Sequence, residues 1–145
     1  MSNAALVPEL VVSNLPNSLR FWCDVIGFRI RYDRLEEGFV YLELDGAELM
    51  LEQLDLAARQ WITADLQPPY GRGINFQIQV PDLDAVIARC THQQLPFYLP
   101  PEERWYRRGD EEVGQRQCIV QDPDGYLIRL AQSLGVRALA AAPSR

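Results

Sequence analysis

Lysine is absent from this 145-residue sequence, and histidine occurs once, at His92. With 14 arginines against 20 acidic residues the formal net charge is −6. No basic stripe is available for phosphate backbones, so nucleic acid is excluded as a partner, and an acidic surface favours cationic small molecules. One histidine and three cysteines without a CxxC spacing do not make a zinc or iron site of the usual kind, which needs two or more such ligands. Cys23, Cys90 and Cys118 are odd in number and fall in two expected helices and one expected strand, as buried thiols of a reducing cytoplasm do. No apolar run approaches the ~20 residues that span a bilayer, and no charged start leads into an apolar stretch as in a secretory signal. No G-x-S-x-G occurs, and His92 has no visible catalytic partner, which leaves nothing to activate a nucleophile such as Cys118. Residues 1–5 have the look of a cloning remnant.

What is present is an internal repeat. Leu6 to Val12 reads as a strand, Ser13 or Asn14 caps a helix with Pro16 in its first turn, and Leu19, Phe21, Trp22, Val25 and Ile26 recur at helical spacing. Gly27 closes that helix. Three extended segments follow: Phe28 to Arg34, Phe39 to Leu44, and Ala47 to Gln53 after the Asp45-Gly46 turn. The second half repeats the order. Ile74 to Val80 is a strand, Asp82 caps a helix carrying Leu83, Val86, Ile87 and Cys90, and Leu95 to Leu99 is extended. Gly114 to Val120 and Tyr126 to Ala131 flank the turn Asp122-Pro123-Asp124-Gly125. Val12-Ser13-Asn14-Leu15 matches Val80-Pro81-Asp82-Leu83 at an offset of 68 residues. Two like β-α-β-β-β modules, about 6–53 and 73–132, are therefore expected within one domain over 6–132. Residues 54–72 are a linker whose first part suits a short helix, 100–113 read as a polar insertion, and 133–145 as a frayed or disordered tail.

The stretch "VPELVVSNLPNSLRFWCDVIGF" at 7–28, the hairpin strand "AELMLEQ" and the closing "DPDGYLIRL" resemble the vicinal oxygen chelate superfamily, which includes glyoxalase I, extradiol dioxygenases, and fosfomycin- and bleomycin-resistance proteins. The likeness is nearest the bleomycin-resistance branch. It implies an α+β fold of two tandem βαβββ modules forming a U-shaped mixed-sheet cleft, in a cytoplasmic homodimer, with exchange of modules between subunits as one form. Metal-dependent members place one ligand on the first and one on the last strand of each module, the latter usually Glu in D-P-D-G-x-x-x-E. Carried over here, those places are Val7, Met50, Asn75 and Arg129. Valine has no donor, thioether is soft, one amide carbonyl is weak, and a guanidinium repels a cation. No metal or other cofactor is expected on that set.

The resemblance then implies a metal-independent protein that sequesters a cationic or aromatic small molecule, a bleomycin-like antibiotic among them. Tyr32 and Phe39 fall where the branch carries aromatic residues. Two departures stand out: Val113 precedes Gly114 where the branch has Trp, and Gln77 stands at a second aromatic place. Trp61 in the linker, and Trp105 and Tyr106 in the polar insertion, are further cleft candidates, with packing on a partner subunit the other reading of Trp105. Glu52 shares the strand face of Met50 and is a candidate acidic group. Arg129 either pairs with a carboxylate such as Glu52 or Glu43, or reaches a ligand anion. The competing functions are a metal-dependent lyase, isomerase or dioxygenase, which would bind metal and be silenced by a chelator, and a non-catalytic regulatory or interaction module.

Overall fold

The computed structural model describes residues 3–139. The first module comprises β1 (Glu9–Val12), a helix beginning as α1 (Leu15–Leu19), and β2 (Arg29–Arg34), β3 (Phe39–Leu44) and β4 (Ala47–Gln53). The second comprises β5 (Asn75–Gln79), α2 (Leu83–His92), β6 (Phe97–Arg108), β7 (Glu111–Gln121) and β8 (Leu127–Ala138). Each module folds its strands into one four-stranded sheet, in the orders β1-β4-β3-β2 and β5-β8-β7-β6. In each, only the pair closing the crossover is parallel (β1 with β4, β5 with β8), because a helix between strands returns the chain in the same direction.

The helix starts read as expected. Asn14 and Asp82 are extended, and their side chains accept hydrogen bonds from the backbone N–H of Asn17 and Ala85. From Arg20 to Ile26 the first helix continues in the wider π-type turn, and Gly27 ends it at φ 109°, a conformation that disfavours any side chain. Phe21, Trp22, Val25 and Ile26 are thereby buried, with Trp22 wholly enclosed and met edge-on by Phe21 and Phe28.

Strand alternation sorts the residues of both sheets. Leu10, Val12, Val40, Leu42, Leu49 and Leu51 from one sheet, and Ile78, Val80, Cys118, Val120, Ile128 and Leu130 from the other, join the helices in a single core. The modules thus share one interior, with their helices between the sheets. Its seam is polar and specific. Asp124 accepts from the Ser13 N–H at 3.0 Å and from its hydroxyl. The Tyr126 hydroxyl donates to the Val11 carbonyl at 2.9 Å. Arg89 of α2 donates to the carbonyls of Val25 and Ile26 at 2.7 and 3.3 Å, satisfying the open end of the first helix.

Three readings of the sequence need correction. Residues 54–72 hold turns and no helix. The 100–113 segment is no loop: most of it forms the ends of β6 and β7, paired from Phe97–Val120 to Arg108–Glu111, with Pro100-Pro101 at a register shift where an edge strand tolerates missing donors. The expected tail begins inside β8, where Val136, Arg137 and Ala138 pair with Val113, Glu112 and Glu111. Residues 140–145 and 1–2 lie outside the described residues. No helix among the described residues is long and apolar enough to cross a membrane.

Candidate functional site

Because both sheets turn one face to the shared core, each has an opposite, open face. The candidate residues divide between the two.

On the first open face β3 and β4 contribute alternating residues in register: Phe39 opposite Glu52, Tyr41 opposite Met50, Glu43 opposite Glu48. Tyr32 of β2 stacks on Tyr41 with ring centroids 4.9 Å apart and reaches Phe39 at 6.0 Å. Tyr41 is only 1% exposed although it lies on the open face, because Tyr32 covers its ring and its hydroxyl donates to Glu48 at 2.7 Å. Burial, then that hydrogen bond, push its ionisation up to about 12. Glu48 also pairs with Arg31, and both side chains are largely covered, at 10% and 15% exposure. A register shift between Ile30 and Tyr32 lets the neighbours Arg31 and Tyr32 both lie on this face. Glu9, beside Met50 on β1, sits close to Glu52. Burial first, and then the Glu52 carboxylate, raise the Glu9 pKa, with Arg34 opposing.

The second open face is built of amides. Gln77 and Ile119 flank Arg129 on the neighbouring strands, and Asn75 lies beside Leu127. Gln115 donates to Gln77 at 3.2 Å and Gln117 at 2.7 Å. Gln117 donates to Glu102 at 2.9 Å and to the Tyr106 hydroxyl at 2.6 Å. Arg129 stands half-buried among them, and its Nε is buried without a hydrogen-bond partner. Of the two readings of Arg129, the pairing with Glu52 or Glu43 is not made: Glu43 is bound by Arg29, and Arg129 has no ion pair among the described residues.

The structure brings Tyr32, Phe39, Met50 and Glu52 together on one face, and Asn75, Tyr106 and Arg129 on the other. Trp61 lies apart in the linker, 76% exposed with Arg59 over its ring. Trp105 packs within its own sheet: its ring lies over Gly114 of β7, where a Cβ would meet it at 2.6 Å, and the Arg137 guanidinium of β8 covers it at 4.0 Å. Sequence reading missed Tyr41, Arg31, Glu48 and Glu9. The alternation Phe39-x-Tyr41 and the two-residue step from Val7 to Glu9 carried the signal for two of them. The bulge that lets the adjacent Arg31 and Tyr32 share this face leaves no mark in the sequence.

Of the inherited ligand positions, Met50 is a thioether next to Glu9, and Arg129 is a cation where a carboxylate would be required. Val7, Met50, Asn75 and Arg129 do not fit a divalent ion. Cys118 offers no alternative chemistry, since burial pushes its thiol up to about 11.

A groove of about 430 Å³ between the first helix and the β7–β8 turn is lined by Arg20, Asp24 and Asp122 and lies away from both open faces. At its floor Asp122 organises the turn. Its Oδ1 accepts from the N–H groups of Asp124 at 3.0 Å and Tyr126 at 2.9 Å. Burial nevertheless raises its pKa to about 6, an effect to which the Asp124 charge adds, while those N–H groups, and the Trp22 indole beyond hydrogen-bond geometry, oppose it.

Comparison with known proteins places these faces in context. The family model described as Glyoxalase/Bleomycin resistance protein/Dioxygenase superfamily matches residues 5–130. A superfamily member from Vibrio splendidus 12B01 is 36% identical, over 87% of this chain and 95% of its own, with a TM-score of 0.40. A structure from the mobile metagenome of V. Pseudocholerae is 19% identical over 91% of this chain and 96% of its own, with a TM-score of 0.67. TioX from Micromonospora sp. ML1 is 19% identical over 92% of this chain and all of its own, with a TM-score of 0.65. The last two show likeness of fold. No curated protein matches.

Proposed function

The chain belongs to the Glyoxalase/Bleomycin resistance protein/Dioxygenase superfamily, and on that footing we propose that it is a metal-independent small-molecule binding protein of the drug-sequestering kind. The observation that carries this reading is the donor chemistry of the ligand positions, where Met50 and Arg129 replace metal-binding groups on the two last strands. A face that cannot hold a divalent ion has no Lewis acid for isomerase, lyase or dioxygenase chemistry. What it has instead is a recognition surface. Tyr32, exposed and backed by the buried rings of Tyr41 and Phe39, with Met50 nearby, offers an aromatic face to a flat heterocycle. Glu9 and Glu52 at its edge suit a cationic substituent.

Each chain supplies two half-sites pointing away from their common core, so the cleft is completed by a second copy, with the first open face of one subunit opposite the second open face of the other. Homodimer formation, by docking or by exchange of modules, belongs to this reading, as does a role in resistance to a bleomycin-like antibiotic.

The test is calorimetric titration of chelator-treated protein with metal-free bleomycin. Saturable binding at one ligand per cleft, unchanged by added metal and without turnover, supports the reading. Turnover that a chelator abolishes would establish the enzyme alternative instead. If bleomycin gives no heat but another aromatic cation or acid binds, the binding fold stands and the resistance role falls.

A further inference from the structure

We infer that the second open face is an oxyanion receptor centred on Arg129, so that the bound small molecule carries a carboxylate or phosphoryl-type group. This rests on the binding reading above and names the chemistry that reading leaves open.

Elsewhere in the chain, partly buried arginines all find partners. Four are partly buried: Arg31, Arg89, Arg116 and Arg129. Arg31 is paired with Glu48, Arg116 with Asp84, and Arg89 donates to two carbonyls. Arg129 alone of the four has no hydrogen bond or ion pair among the described residues, and its Nε is closed off from water. The Nε–H so placed loses hydration without recovering it, a cost that a bound partner would offset.

The surroundings specify the sign of that partner. Gln77, Gln115 and Gln117 are neutral, and their amides are already committed to one another, to Glu102 and to the Tyr106 hydroxyl. Glu102, the carboxylate on this network, is therefore held by Gln117 and not by Arg129. Glu102 and Arg104 join the face from β6, opposite Gln117 and Gln115, so Arg129 is the partly buried cation left without a partner among the amides. A planar fork of N–H donors matches a carboxylate or phosphoryl group in two parallel bonds, and the amides Gln77, Gln115 and Gln117 carry no charge to compete for it. The acidic and aromatic groups on the other open face then take the rest of the ligand.

The experiment observes the guanidinium directly. Protein labelled with 15N-arginine gives an Nε–Hε resonance for Arg129, identified by its loss in Arg129→Gln. Phenylphosphonate and benzoate are titrated to millimolar concentration, with benzyltrimethylammonium and benzamide as cationic and neutral counterparts. The two anions are expected to move the Arg129 resonance saturably, the counterparts to leave it in place, and Arg129→Gln to weaken anion binding roughly tenfold or more. If neither anion moves the resonance, the inference is overturned. If the cationic or neutral probe binds elsewhere while neither anion moves the Arg129 resonance, the oxyanion receptor fails and the small-molecule reading survives. If no probe binds at all, both fail. An Arg129 resonance already shifted in the free protein, and more so at higher protein concentration, would assign the guanidinium to a carboxylate of a second copy and also overturn the receptor.

Discussion

Replacing Asp122 by asparagine should make the protein progressively more stable, relative to the parent, as pH rises from about 4 to about 6. In the unfolded chain this carboxyl titrates near 3.8, whereas in the fold it titrates at about 6, burial being the main cause. Below both values the group is protonated in either state, and the fold carries no charge penalty there. Between them only the folded protein holds the proton, so unfolding releases one and stability falls as pH rises. Above about 6 the buried carboxylate persists at its full cost. A displacement of about two pK units corresponds to about 3 kcal/mol, with relaxation around the turn reducing what is measured. The substituted side chain would keep an oxygen for the N–H groups of Asp124 and Tyr126. It would also place an amide nitrogen where the Asp122 Oδ2 has no partner, adding a cost that does not vary with pH. The slope, not the offset, is therefore the readout. Urea unfolding of the parent and Asp122→Asn at several pH values across this window measures it. A stability difference that is flat with pH, or that favours the parent as pH rises, would refute the reasoning.

Three further outcomes follow from the packing. Ser13→Ala removes the hydroxyl that joins β1 to the Asp124 turn and should cost about 1 kcal/mol, lowering Tm by roughly 2–4 °C in a thermal melt. Glu48→Ala removes an acceptor shared by Tyr41 and Arg31 in a nearly covered cluster and should cost about 2 kcal/mol, whereas Glu43→Ala, beside an exposed Arg29, should cost under about 1 kcal/mol. Equal losses in denaturant titrations of the two variants would contradict that contrast. Gly114→Ala drives a methyl into the Trp105 ring and should break its stack with Arg137, costing about 1–3 kcal/mol and shifting tryptophan emission to the red.

Much of this architecture is written locally. The repeat at an offset of 68, the Asn14 and Asp82 caps, the closing Gly27 and the two Asp-Gly turns each specify one element by its own chemistry, and the modules follow from their order. Strand alternation also assigned Met50 and Glu52 to one face. The long β6–β7–β8 ribbon was illegible because Pro100-Pro101 and a run of charges read as loop, while an edge strand with a register shift accommodates both. The separation of the candidate site into two faces was illegible for a different reason. Periodicity tells which residues share a face, but which faces the modules turn toward each other depends on the helix-to-helix core and on long-range bonds such as Ser13 to Asp124. Arg129 illustrates the limit: sequence placed it where a metal carboxylate belongs, but only the structure shows that neither Glu43 nor Glu52 reaches it.

The central claim is that these faces recognise a molecule without a metal ion. Calorimetric titration of chelator-stripped protein with Zn2+ and with Ni2+ tests it most directly. No saturable uptake near one ion per pair of open faces is the expected result. Stoichiometric binding at micromolar concentration that Asn75→Ala abolishes would contradict it, by showing that the inherited positions still hold an ion.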